Sequence, residues 1–207
     1  MSRALGEAEI DALREIGSIG AGTAATALSR MTGVPVAMGV PSVALLPVEE
    51  IADRVGPADA VIAAAFLGVR GDVTGHMILA MADQAARAVI GLLLGGIGTP
   101  STAAAGAFSV MEMSALQETG NILAGSYLTA LSQVTGLRLE ATPPAVGVDL
   151  AGALIGAAVA EVAMSADRAI LIGSALGDRE RLAVGDVLFI PAAGSLEVVL
   201  DRLGLDG

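Results

Sequence analysis

Apolar residues recur with helical spacing near the start of the chain. Ile10, Leu13, Gly17, Ala21, Ala24, Leu28 and Met31 fall on one stripe, which predicts a long helix buried along that stripe. Gly33 stands where such a helix stops. The pattern then changes to extended segments at 34–48, 60–69 and 72–81, with Arg70-Gly71-Asp72 supplying a turn between the last two. Residues 82–94 return to helical spacing. After a Gly-rich stretch at 95–105 a second round begins: a long helix ending at Gly136, then segments read as extended at 137–148, 151–164 and 168–176. The pair 151–164 and 168–176 looks like a hairpin matching 60–69 and 72–81. A strand at 186–190 and a helix at 194–203 complete the reading.

The two rounds are copies of one another. Shifted by 103 positions, Asp11-Ala12-Leu13-Arg14-Glu15-Ile16-Gly17-Ser18-Ile19 lies over Ser114-Ala115-Leu116-Gln117-Glu118-Thr119-Gly120-Asn121-Ile122. The match runs on through Ala21-Gly22 over Ala124-Gly125 and Thr26-Ala27-Leu28-Ser29 over Thr129-Ala130-Leu131-Ser132. It ends with Pro41 over Pro144 and Val43 over Val146, and 15 of the 33 positions from 11 to 43 are identical. That density marks an internal duplication. The expected architecture is α/β: a single compact pseudo-twofold domain over 1–207, built from two related helix-plus-hairpin halves (about 1–105 and 106–207), with the long helices against a β-sheet.

Composition narrows the function classes. The chain has 207 residues, no Cys and one His, His76, so disulfides, thiolate metal sites and His-rich metal sites are excluded. The formal charge is −11 and every basic residue is Arg, a balance that repels nucleic acid. Mean hydropathy is +0.74, and the uncharged run 88–111 is long enough to span a bilayer. That run is broken by Gly95-Gly96-Ile97-Gly98-Thr99-Pro100-Ser101-Thr102, which reads as a loop between helices, and no membrane span is expected. The first residues are acidic and lack an apolar segment of signal-peptide type, so the expected location is cytoplasmic.

Several local patterns have ordinary explanations. Gly20-Ala21-Gly22-Thr23-Ala24-Ala25 imitates a dinucleotide-binding fingerprint, but that motif follows a strand, and here helical spacing precedes it. His76 reads as a packed or surface residue on a strand. Asp178, Glu180 and Asp186 lie among Arg179 and Arg181 and read as a solvated charge cluster in a turn.

The polar face of the second long helix is different. Ser114, Glu118, Asn121 and Gly125 are spaced i, i+4, i+7 and i+11, so they line one face. Asp11, Glu15, Ser18 and Gly22 occupy the matching face of the first. Glycine inside a helix costs about 1 kcal/mol relative to alanine. Its use here would be to let another surface come very close.

In these residues the chain resembles the CheC/CheX/FliY phosphatases of chemotaxis, whose motif is Asp or Ser, three residues, Glu, two residues, Asn, then 22 residues and Pro. Ser114, Glu118, Asn121 and Pro144 satisfy it; Asp11, Glu15 and Pro41 satisfy it in the first half, where Ser18 replaces the Asn. Two motifs in about 200 residues look most like the CheC branch; a FliY-like switch component would carry a further FliN-like domain. The resemblance implies an enzyme that removes the phosphoryl group from a phosphorylated CheY-type response regulator in two-component signalling. Glu118 would pair with a lysine near the phosphorylation site and Asn121 would orient the attacking water. Any Mg²⁺ would belong to the partner, leaving this chain without a cofactor or metal of its own. The resemblance also leaves open an adaptor role, binding the receptor deamidase CheD without catalysis. An aspartyl phosphate is already activated toward water, so an amide that holds one water in line suffices without a protein nucleophile. Ser18 is shorter and carries one hydroxyl, so the first site, Glu15 and Ser18, is expected to be weak or dead and to serve at most in docking.

Overall fold

The computed structural model describes residues 6–39, 42–95, 104–163, 166–177 and 182–203. Two helices of 26 residues dominate it, α1 (Glu7–Thr32) and α4 (Val110–Thr135). Their ends are built alike. Gly33 and Gly136 both adopt φ 72°, and each donates its N–H back into the helix, to Ser29 O at 3.0 Å and Ser132 O at 2.8 Å. This is the left-handed stop that glycine enters without steric cost. The two helices pack on each other where Gly20 meets Tyr127: a Cβ on Gly20 would lie 2.5 Å from Tyr127 Cδ1 and 3.1 Å from its Cα. At the repeat-equivalent positions Leu123 and Ala24 are both buried, so α1 offers the small residues, Gly20 and Ala24, and α4 the large ones, Leu123 and Tyr127.

Among the described residues eight antiparallel strands form the sheet. The first half supplies β1 (Ala37–Met38), β2 (Ser42–Pro47), β3 (Val61–Gly71) and β4 (Gly75–Ala82); the second supplies β5 (Leu139–Ala141), β6 (Ala145–Leu150), β7 (Arg168–Gly177) and β8 (Leu182–Pro191). Hairpins β3–β4 and β7–β8 sit side by side, joined through β4 and β8 with Ile78 opposite Leu188. The outer strands are exchanged. β1 and β2 of the first half pair with β7 of the second, and β5 and β6 of the second pair with β3 of the first. Neither half therefore completes a sheet from its own strands.

Helices cover both faces. On one, α1, α4 and α3 (Asp83–Leu93) bury Ala63, Ala65, Leu67, Met77, Leu79, Ile172 and Phe189; on the other, the short α2 (Ile51–Val55) and α5 (Ala151–Val162) bury Ile62, Ala64, Ile78, Leu171 and Leu188. Because both faces of the central strands are dry, runs such as Ile62–Ala65 are buried throughout instead of alternating. Helix α6 (Ser195–Arg202) is the last of the described elements.

The sequence expectations for the long helices, the 60–69/72–81 hairpin and the helices at 82–94 and 194–203 match these elements. Three details are corrected. Segment 151–164 is not a strand: α5 occupies it, and the second hairpin is β7–β8. Ala151, Ile155 and Val162 are buried at helical spacing, but the outward face is Gly152, Ala153, Gly156, Ala157 and Ala160 with Glu161 alone charged, so the segment has little of the polar contrast that exposes a helix in a sequence. Met31 is 45% exposed and lies outside the buried stripe, one residue short of the helix end. Asp186 lies on β8 opposite Gly173, and burial raises its carboxyl pKa, against a smaller lowering by Arg54. Asp178, Arg179, Glu180 and Arg181 lie outside the described residues, as does Pro41. Among the described residues no helix is long and apolar enough to cross a membrane, and no three His, Asp or Glu side chains gather as a metal cluster.

Candidate functional site

On α4, Ser114, Glu118, Asn121 and Gly125 are all exposed on one face, while Thr119 and Gly120 between them are buried. Ser114 Oγ donates to Val110 O at 3.0 Å and so points along its own helix. Neither the Glu118 carboxylate nor the Asn121 carboxamide is engaged by another group among the described residues. At i, i+3 spacing on a helix their Cβ atoms stand about 5–6 Å apart. The pair is thus adjacent, outward and free.

What lies beneath the pair is rigid. A Cβ on Gly120 would come within 2.7 Å of Ala65 Cβ and 3.7 Å of Pro144 Cβ, so the helix rests on β3 at the level of the site. Pro144 is buried, and its carbonyl accepts a 3.0 Å hydrogen bond from Gln117 Nε2. Pro144 immediately precedes β6, and its ring keeps the residue before it extended. The motif proline is therefore a floor beneath Glu118 and Asn121, which explains a fixed spacing without chemistry of its own. The chain leaving α4 is pinned as well. Arg138 N donates to Asp72 Oδ2 at 2.9 Å and Arg138 Nη2 to Asp72 Oδ1 at 3.0 Å. The side-chain hydrogen bond from Arg138 is the main reason the Asp72 carboxyl sits below its ordinary pKa.

The start of α4 is fastened by two devices. Ser109 Oγ accepts from Glu112 N at 3.3 Å, and Glu112 Oε2 accepts from Ser109 N at 2.7 Å, a reciprocal cap that lowers the Glu112 pKa. Arg87 of α3 reaches across to the connector: its Nη2 donates to Ala104 O at 3.2 Å and Ala107 O at 3.3 Å, and its guanidinium carbon lies 4.4 Å from the Phe108 ring centroid. Asp83 holds Arg87 through Nε at 2.8 Å and also accepts from Gly106 N at 2.9 Å. Desolvation pushes the Asp83 pKa up, but the hydrogen bonds from Arg87 and Gly106 outweigh it and the net shift is downward.

The first helix presents the matching face with other contents. Asp11, Glu15, Ser18 and Gly22 are exposed, so the predicted alignment of the two faces is present in the structure. Ser18 Oγ donates to Arg14 O at 3.0 Å, folding the hydroxyl onto its own backbone. Arg14, which replaces Gln117, pairs with Asp11 at 2.5 Å instead of reaching a loop. A serine oxygen is also one bond closer to the helix than an asparagine amide.

Sequence reasoning assigned nothing to Gln117, Arg87 or Asp83. Gln117 was visible as a mismatch with Arg14 in the repeat; Asp83 and Arg87 were visible as an i, i+4 pair, but their reach to the connector was not, since those partners are carbonyls and an N–H. His76 is half-buried on β4 and opposite Ile190, away from either helix motif in the chain. Gly20 and Gly22 lie inside α1, so the fingerprint-like stretch is helix interior.

The CheC-like family model matches residues 9–45 and 111–148, the two stretches that hold the long helices and the strands after them. The protein of Bacillus subtilis (strain 168) named CheY-P phosphatase CheC is 36% identical over 207 residues, covering 96% of this chain and 95% of its own. The flagellar motor switch phosphatase FliY of the same organism is 31% identical over 142 residues, which is 69% of this chain and 36% of FliY. Among solved structures, Thermotoga maritima FliY superimposes with a TM-score of 0.74 at 18% identity, covering 99% of this chain and 100% of that one. At that identity the likeness speaks for the fold.

Proposed function

The chain belongs to the CheC-like family, and from that premise we propose that it is a phosphatase for the aspartyl phosphate of a CheY-type response regulator, with α4 as its working helix. The observation that carries this reading is the outward Glu118–Asn121 pair, free of partners among the described residues and seated on a helix fixed at both ends. Water attacks the phosphorus, the bond from phosphorus to the aspartyl oxygen breaks, and inorganic phosphate and a free carboxylate leave. Asn121 holds that water: its carbonyl oxygen accepts a hydrogen bond from the water O–H while its NH₂ can donate to a phosphoryl oxygen. Glu118 docks the helix by pairing with a cation beside the partner's phosphorylated acid. Mg²⁺ at the partner's acidic site would supply charge neutralisation of the phosphoryl group. The side chains of this chain contribute position, and the exposed Gly125 and small Ser114 let the two surfaces meet closely.

The test is the decay of a phosphorylated CheY-type regulator, alone and with the protein. Wild type should accelerate decay and Glu118→Ala should weaken the effect mainly through KM. A wild-type protein that leaves the decay unchanged overturns the phosphatase reading and favours the adaptor role, in which the chain binds CheD.

A further inference from the structure

The outward stripe of α4 continues past Ser114 toward the start of the helix. There Val110 is 85% exposed and Met111 66% exposed. At 100° per residue, Met111 points within about 20° of Glu118 and Val110 within about 20° of Asn121. Along the axis they stand about 10 Å from Glu118 and about 16 Å from Asn121, respectively. Single exposed apolar side chains are common on protein surfaces. Two adjacent ones in line with a polar recognition pair are a different feature. They are also held still, since the Ser109–Glu112 cap and the Arg87 contacts to Ala104 and Ala107 fix this turn.

The duplication provides an internal control. At 103 positions earlier, Val110 and Met111 correspond to Glu7 and Ala8, both exposed on α1. The helix that carries the amide thus carries the apolar pair, and the helix that carries Ser18 carries an acid and a methyl group. Footprint size sets the rest. A specific protein interface covers about 800 Å² per partner, a patch about 16 Å in radius. A regulator centred on Glu118 and Asn121 therefore covers Met111 and reaches Val110.

We propose that Val110 and Met111 are an apolar anchor for the response regulator, meeting an apolar patch beside its phosphorylated acid and making α4 the helix it prefers. The proposal rests on the phosphatase reading above. Glu118 and Asn121 face charge and water, both of which bind weakly in isolation, whereas a packed methionine supplies affinity without needing to touch the reacting atoms. The two residues set how often the complex forms, and Asn121 sets what happens within it.

The experiment is saturation kinetics on the phosphorylated regulator with the double variant Val110→Thr, Met111→Gln, which keeps side-chain volume at exposed positions. KM should rise about tenfold, equivalent to about 1.4 kcal/mol, with kcat within about twofold and the melting temperature unchanged. If wild type accelerates decay and the double variant has an unaltered KM, the anchor is wrong and the phosphatase reading stands. If wild type does not accelerate decay at all, the reading beneath the proposal has failed and the proposal with it. A dimeric wild type that becomes monomeric in the variant, with KM unaltered, assigns the patch to a second copy of the chain and overturns the proposal.

Discussion

Helices α1 and α4 share a length of 26 residues, a glycine stop at φ 72°, a start with φ near −70° and ψ 165°, and a buried face mostly of small and aliphatic residues, to which α4 adds Tyr127. They part company on the outside: Arg14 against Gln117, Ser18 against Asn121, Glu7-Ala8 against Val110-Met111. Along the aligned stretch the fold demands the inner face from both copies, because each helix must cover the same exchanged sheet. The outer face is under no such demand. Both copies present an exposed glutamate there, Glu15 and Glu118, but only α4 adds an amide; α1 has Ser18 bonded to Arg14 O, and Arg14 paired with Asp11. Symmetry in the core thus coexists with asymmetry at the surface.

The largest expected effect comes from moving the amide. Asn121→Ala should reduce the acceleration of regulator dephosphorylation roughly 100-fold, the scale of removing one positioned donor, while Ser18→Ala should leave it unchanged. Ser18→Asn in the Asn121→Ala background asks whether α1 lacks anything besides the amide. Partial recovery of kcat with a poor KM is expected, since α1 also lacks Gln117 and the apolar pair. A loss of activity in Ser18→Ala with Asn121→Ala unaffected would reverse the assignment of the two helices.

Much of this comparison was legible before any coordinates. The 103-residue repeat located both helices, both stops and both faces, because helix periodicity and glycine caps are local rules written in adjacent residues. The exchange of β2 and β6 between halves was not legible, since strand partners far apart in the chain leave no trace in spacing. Helix α5 was hidden because Gly152, Ala153, Gly156 and Ala157 look apolar by composition and are exposed in fact. The floor under the site was half visible: the interval to Pro144 was plain, but its contact with Gly120 and the bond from Gln117 emerge only from packing.

Glycines sharpen the contrast at the next level of effect. Gly20→Ala drives a methyl into Tyr127 at 2.5 Å and onto its backbone at 3.1 Å, so it should destabilise by about 1–3 kcal/mol in thermal or urea unfolding. Gly22 and Gly125 are the paired outward glycines, and a Cβ at either meets nothing within 4 Å. Alanine at each should stabilise by up to about 1 kcal/mol through helix propensity. Their effects on turnover should differ: Gly125→Ala raises KM for the phosphorylated regulator and Gly22→Ala does not. Equal KM values in both variants would show that close approach at Gly125 is not used.

The caps give the smallest contrast and one with a defined pH dependence. α4 has the reciprocal pair Ser109 and Glu112; α1 has Gly6 in the matching place, with only Glu9 Oε2 accepting from Gly6 N at 2.6 Å. Ser109→Ala should lower stability by about 1 kcal/mol at neutral pH. Hydrogen bonds from Ser109, first its N–H and then its hydroxyl, hold the Glu112 pKa below the ordinary carboxylate value. A lowered folded pKa means that this stabilisation is complete above the unfolded value and is lost as pH falls through the folded one. The cap's part in the Ser109→Ala penalty should therefore shrink in acid, and a penalty that grew there would contradict the assignment. Gly6→Ser runs the comparison in reverse. Gly6 already has φ −72° and ψ 165°, and a Cβ there would stand 3.7 Å from Glu9 Oε2, so serine fits without strain. It should add a few tenths of a kcal/mol, read as a rise of about 1 °C in melting temperature. Turnover should not change, because the cap of α1 serves a helix whose outer face lacks the amide.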